Sequence, residues 1–253
     1  MLVSLSHLGY NAPVSQSSDA RANSRALARL QRVVVACRRC PRLVRYREQI
    51  AREKVRRYRD VVYWGRPLPS FGDPAARLFV VGLAPAAHGG NRTGRMFTGD
   101  DSGHWLTRAL HANGFANQPT SSHRGDGLKL RDAYITAALR CAPPGNKPSV
   151  RELSNCRPYF LSELRLLSNV TVVVALGRIA FDSYLRAREA LGRVPVKPRL
   201  QFAHNRVWRL PDGVTLIASY HPSRQNTQTG RLTRRMFAAV FRSARRALEG
   251  SRA

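Results

Sequence analysis

Residues 77–114 read RLFVVGLAPAAHGGNRTGRMFTGDDSGHWLTRALHANG. An apolar, β-branched run ends at Gly82, a Gly-rich polar loop follows to Asp100, and the pattern after Asp101 has helical spacing and stops at Gly114. Strand, glycine loop and helix in this order form the unit on which α/β proteins build ligand sites. The loop lies beyond the strand's carboxyl end and meets the free backbone N–H groups of a helix N-terminus. Neither GxxxxGK[ST] nor GxGxxG occurs here, so the loop is not one of the familiar nucleotide-phosphate loops.

Working outward, three more short apolar runs have the continuous character of buried parallel strands: AYITAAL (133–139), VTVVVALG (170–177) and VTLIASY (214–220). Helical patterns follow them at 149–167, 178–192 and 231–250, the first of these opening with a capping box, Ser149 and Glu152. Residues 202–220 read as a hairpin turning at Pro211-Asp212-Gly213. Alternating strands and helices predict an α/β fold, a three-layer αβα sandwich around a central, mostly parallel four-stranded sheet. Two further helices precede it, from about Ala26 and from Pro41. The expected organisation is one domain over 26–250 behind a poorly ordered tail, 1–25, rich in Ser, Asn and Asp.

The chain has 43 Lys and Arg against 15 Asp and Glu, a formal net charge of +28. Only Lys54, Lys129, Lys147 and Lys197 are lysines. Such an excess points to a polyanion, nucleic acid first, and arginine's planar fork suits phosphates and base edges. GC-rich coding is the competing explanation for the arginine. No run approaches the roughly 18 apolar residues of a membrane span, and the N-terminus lacks the pattern of a signal peptide. A soluble, cytoplasmic protein without a membrane partner is expected.

Cys37, Cys40, Cys141 and Cys156 are the only cysteines. A chain of this size without a secretion signal argues against disulfides. Structural zinc generally uses two compact knuckles, whereas the second pair here is widely spaced. Four thiolates from distant segments, one just before Pro143-Pro144, suit an iron–sulfur cluster better. Zinc and ordinary buried thiols stay open on spacing alone.

Three loops fall at the carboxyl end of the expected sheet: 84–101, 140–148 and 220–230. The first offers backbone amides, His88, Asn91, Arg92, Arg95, Phe97 and the acids Asp100 and Asp101. One acid is expected to cap the helix, and Asp100 is placed to orient or deprotonate a water. Phe97 in a polar, Gly-flanked loop suits stacking on a base. The third loop presents His221 beside Arg224 and Arg231, an arrangement that can hold a phosphate backbone while His donates to a developing anion. The middle loop contributes Asn146, for which ordinary turn chemistry is the alternative.

GLAPAAHGGNRTGRMFTGD (82–100), YITAALRCAPPGNKP (134–148) and HPSRQNTQTGRLT (221–233), with four cysteines in this order, closely resemble the family 5, or type B, uracil-DNA glycosylases. The resemblance runs from about Ala36 to Ala247. It implies hydrolysis of the N-glycosidic bond of a uracil flipped out of DNA, leaving an abasic site. It also implies a structural 4Fe–4S cluster on Cys37, Cys40, Cys141 and Cys156, tying the N-terminal helices to the core.

Carried over by position, Asp100 is the catalytic aspartate, Asn146 a further catalytic residue, and His221 the donor to the leaving base. Gly82, Ala84, Pro85, Ala86, His88, Asn91, Phe97 and Ala137 line the substrate pocket. Arg92, Arg95, Ser223, Arg224, Asn226, Thr229 and Arg231 contact DNA, with Leu232 as an intercalating wedge. Ala137 stands where the related family 4 enzymes carry an Asn that reads the uracil edge. Its lack of a polar group implies a broader range, including hypoxanthine and ethenocytosine. The expected partner is double- and single-stranded DNA containing uracil or other damaged bases, bound by a monomer associated with the nucleoid. A non-catalytic iron–sulfur protein that binds nucleic acid is the rival reading.

Overall fold

A computed structural model describes residues 16–250. Six strands form one sheet in the order β1-β3-β2-β4-β6-β5. These are β1 (Phe71–Gly72), β2 (Leu78–Gly82), β3 (Ala133–Ala137), β4 (Val172–Leu176), β5 (Val207–Arg209) and β6 (Thr215–Ser219). The inner four are parallel, as expected. The expected four-stranded sheet is corrected by two short antiparallel edges. β1 pairs with β3, and β5 folds back on β6 through the predicted Pro211–Gly213 turn, closed by Leu210 and Val214.

Strict alternation along each inner strand divides the core in two. Leu78 and Val80 of β2, with Val172, Val174 and Leu176 of β4, face one side, packed under α4 (Asp101–Ala112) and α8 (Arg234–Gly250). Phe79 and Val81, with Val173 and Ala175, face the other, under α1 (Gln16–Val35), α5 (Val150–Leu166) and α6 (Arg178–Ala190). That continuous burial on both faces is why the strands are uninterrupted apolar runs. α8 shows the complementary helical pattern. Phe237, Val240, Phe241, Ala244 and Leu248 recur every three or four residues and are all buried, while Arg234, Arg235, Arg242 and Arg246 are exposed and Arg245 folds over the Phe115 ring. Each of the larger side chains contributes about 1.5–3 kcal/mol of burial.

The first helix starts at Gln16 rather than near Ala26, so much of the expected tail is helix; the rest of that tail, 1–15, lies outside the described residues. α2 (Pro41–Glu53) begins on Cys40 as N-cap with Pro41 in its first turn. The α5 capping box is present in full, and its Glu152 also receives Arg42 of α2 at 2.6 and 2.7 Å. Two short helices, α3 (Gly90–Thr93) and α7 (Arg224–Gln228), interrupt the first and third loops. No helix among the described residues is long and apolar enough to cross a membrane.

Candidate active site and cysteine centre

The loops after β2 and β6 meet at the carboxyl end of the sheet. Asp100 is the N-cap of α4, and its Oδ1 accepts the Gly103 N–H at 2.8 Å. One carboxylate therefore ends the loop and starts the helix. Its partial burial raises its pKa above the ordinary aspartate value, against the lowering influence of the Gly103 N–H. The other oxygen points at Gly89, where a Cβ would collide with it. Gly89 is thus required for close approach and not for loop flexibility.

Phe97 adopts a positive φ of 48°, unusual for an aromatic residue. Its ring packs over Gly82 at the end of β2, where a Cβ would lie 2.8 Å from the ring carbons. Ala137 pairs with Gly82 across the sheet and is buried, so two of the smallest side chains floor this part of the site. The His221 ring lies beside Phe97, centroids 5.8 Å apart with a 35° tilt. Burial lowers the His221 pKa to about 4, so the imidazole is neutral at physiological pH. A neutral imidazole still carries one N–H donor.

Three contacts fix His221 relative to Asp100. Asn226 Nδ2 donates to the His221 carbonyl at 2.8 Å. Ser102 Oγ, in the first turn of α4, donates to the Pro222 carbonyl at 2.9 Å. Asp101 pairs with Arg224 at 3.1 Å across the exposed rim, a contact of modest worth by itself. Ser102 was not singled out from sequence. A serine after two acids reads as helix capping, and nothing local announces a bond to residue 222.

The remaining loop residues divide. Ala84 and Ala86 are partly exposed and Pro85 is buried. His88 Nδ1 meets the Tyr63 hydroxyl at 3.1 Å, and burial, then Arg92, lowers its pKa. Ser223 is the N-cap of α7, Thr229 Oγ1 bonds back to Gln225, and the Arg231 guanidinium lies 4.8 Å over the Tyr220 ring. Asn146 is exposed at φ 56°, in a turn beyond β3.

Three expectations are corrected, those for Leu232, Arg95 and Asn91. Leu232 is 1% exposed and belongs to the core beside Phe237, so it is not a wedge. Arg95 is buried and bonded to Thr98, Ser121 and Asp126, leaving no group for DNA. Arg92 braces the loop, donating Nε to the His88 carbonyl at 2.8 Å and Nη2 to the Gly99 carbonyl at 2.6 Å. Asn91 is fully buried and turned to α2, where Nδ2 donates to the Arg47 carbonyl.

The four cysteines come together on the opposite flank of α2. All are free, and with Leu43, Arg47, Leu139 and Tyr159 they line one cavity. Three N–H groups point at their sulfurs: Arg47 Nη1 to Cys141 at 2.9 Å, the Arg140 amide to Cys156 at 3.4 Å, and Asn155 Nδ2 to Cys40 at 3.5 Å. Burial pushes Cys141 up to about 11 and Cys156 to about 12. Among the described residues no set of three or more ligating side chains is disposed to hold one metal ion; the sulfurs surround a space instead. Behind them Arg140 pairs with Glu163 at 2.5 Å and bonds Ser70, while Thr136 and Gln31 complete the carboxylate's shell. This buried network ties α1, β3 and α5 to the cysteine segment, and its charges are tolerable only because both are paired and bonded.

The αβα sandwich brings a capping aspartate and an aromatic ring beside a neutral histidine to the strand ends. The profile described as "Uracil DNA glycosylase superfamily" matches residues 69–245, and the chain belongs to that superfamily. Within it the chain groups with the type-5 enzymes. It is 53% identical over 213 residues to the type-5 uracil-DNA glycosylase of Thermus thermophilus, covering 84% of this chain and 94% of the relative. It is 47% identical over 222 residues to that of Mycobacterium tuberculosis, covering 87% and 81%. A type-4 enzyme of Archaeoglobus fulgidus is more distant, 30% identical over 161 residues, covering 62% and 70%.

Proposed function

We propose that the chain excises uracil from DNA by hydrolysing the N-glycosidic bond of a flipped-out nucleotide, leaving an abasic site. The observation that carries this reading is the placement of Asp100, Phe97 and His221 on two loops braced through Ser102–Pro222 and Asp101–Arg224. Bond cleavage builds positive charge on the sugar and negative charge on the departing base. Asp100, in its carboxylate form, stabilises the sugar cation and orients the attacking water. His221, neutral, donates its N–H to the base oxygen as charge arrives there, a contribution of about 3 kcal/mol for a donor of this kind. Phe97 stacks on the base, which must leave the helix because the glycosidic carbon is unreachable within it. Asn146 acts from the second loop in placing water or substrate.

Specificity is set in part by what β3 lacks. Ala137 presents only a methyl group beside Gly82, so no buried polar group is left unpaired when the base is not uracil. Hypoxanthine and ethenocytosine are therefore substrates as well, in double- and single-stranded DNA. The enzyme works as a monomer in the cytoplasm.

The cysteine cavity holds a 4Fe–4S cluster ligated by Cys37, Cys40, Cys141 and Cys156. The support is chemical: four sulfur donors around a space rather than a point, with N–H groups directed at three of them. Such N–H···S contacts stabilise negative charge on the sulfurs, and ligation deprotonates thiols that burial otherwise keeps neutral. The cluster's work is to hold α1, α2 and α5 together.

Cluster-loaded protein is incubated with a uracil-containing duplex, and the product is cleaved with alkali. Strand breaks at uracil are expected. Their absence would leave the chain a non-catalytic iron–sulfur protein that binds nucleic acid.

A further inference from the structure

With Leu232 in the core, the loop after β6 has no exposed apolar side chain to fill the gap left by a flipped nucleotide. Such a chain is found on the other rim of the site. α2 ends at Lys54, whose φ of 55° turns the backbone sharply into the segment Val55–Val62. The turn is tightly closed. Lys54 Nζ donates to the Arg59 carbonyl at 2.8 Å, and the amides of Tyr58 and Val61 bond back to Val55 and Tyr58. At its end Val62 is 89% exposed, the most exposed large hydrophobic side chain among the described residues, with Val61 and Val55 also exposed.

The turn is built onto the excision loop. The Arg92 guanidinium lies 3.9 Å over the Tyr58 ring while its Nη2 reaches the carbonyl of Gly99, next to Asp100. Tyr63, adjacent to Val62, bonds His88. The Trp64 and Gly65 amides donate to the carbonyls of Arg92 and Asn91. Around this frame Arg56, Arg57, Arg59 and Arg66 are exposed, and Arg124 lies over the Trp64 ring. Asp60 is the only acid in the turn, and it pairs with Arg59 at 3.5 Å.

We infer that Val55–Val62 is a DNA-engaging turn, in which Val62 enters the base stack beside the flipped nucleotide and Arg56 and Arg57 grip the flanking phosphates. An apolar wedge beside arginines is the usual means of holding a distorted duplex open. Because α2 starts at Cys40, the cysteine centre fixes the inner end of the helix that carries this turn to the rim.

The inference rests on the reading of the chain as a DNA glycosylase, which excision by the parent protein checks separately in the same assay. The full chain is compared with Val62→Ser and Val62→Leu on uracil in duplex and in single-stranded DNA, and on a duplex with 2-aminopurine beside an abasic site. Val62→Ser is expected to lower the duplex-to-single-strand ratio of excision rates about tenfold and to abolish the fluorescence rise of 2-aminopurine on binding; Val62→Leu restores both. Arg56→Ala with Arg57→Ala is expected to reduce the slope of log affinity against log salt by about 2, close to one unit per lost phosphate contact. An unchanged ratio and fluorescence, or equal losses on both substrates, would overturn the wedge; an unchanged slope would overturn the phosphate contacts.

Discussion

The Asp100 carboxylate fills the space that a side chain at Gly89 would need. Gly89→Ala must therefore push the carboxylate off the Gly103 N–H or move the loop. Displacement of about 1 Å at a reacting group costs on the order of 100-fold, so single-turnover uracil excision should fall by at least that factor. Affinity for abasic-site DNA, measured by fluorescence anisotropy, should stay near that of the parent, since no exposed cation changes.

The pH dependence follows from the two shifted groups. Asp100 must be ionised, and its pKa is raised from 3.8, so the acid limb of the excision profile should fall above that value. His221, lowered from 6.5 to about 4, should give no limb near neutrality. A limb close to 6.5 that disappears in His221→Gln would contradict the neutral donor.

Stability carries the opposite signs for these groups. Folded Asp100 holds its proton more tightly than the unfolded chain, so stability falls as pH rises through its shifted range and the cost persists at neutral pH. Asp100→Asn should melt no lower than the parent at pH 7. His221 acts in reverse: below about 6.5 the unfolded chain gains a proton that the folded chain refuses until about 4. Acid destabilisation through that window should be blunted in His221→Gln, as read by Tm against pH.

Leu232 and Arg95 separate core from interface. Leu232→Ala should lose about 2–5 kcal/mol in urea unfolding, the usual cost of a buried leucine, while the cation-dependent salt slope of DNA binding is unchanged. Arg95→Ala removes a buried pair of 2.8 Å whose acid, Asp126, keeps its bonds from the Ser122 and Leu128 amides, so a loss below the about 3–5 kcal/mol of an uncompensated buried charge is expected.

For the cysteine centre, anaerobically purified protein should be brown and contain about four irons per chain. Cys141→Ser should lose the iron and lower Tm. Stoichiometric zinc in place of iron would contradict the proposed cluster.

The inner sheet was readable because both faces of β2, β3, β4 and β6 are buried, which leaves an uninterrupted apolar signature. β1 was not, since two residues in a Pro- and Gly-rich segment carry no period. Asp100, Phe97 and His221 were legible from motif and from position at strand ends. Leu232 was not: a single leucine in a polar loop looks the same whether it turns outward or, as here, into the core beside Phe237. Arg95 failed for a related reason, because its partners Ser121 and Asp126 are distant in sequence and its charge alone suggested an exposed role. The Val62 turn drew no attention as sequence. Its exposure depends on the Lys54 backbone turn and on Tyr58 and Tyr63 docking against the excision loop.

Asp100 carries the chemistry proposed for this site. Single-turnover excision of uracil from a duplex, measured for the parent, Asp100→Ala and Asp100→Asn alongside DNA affinity, tests it most directly. Both variants should be slower by about 10²–10⁴-fold, the range for a positioned acid–base group, with affinity nearly intact. Rates close to the parent's in both would contradict the assignment and move the chemistry to another residue, Asp101 first.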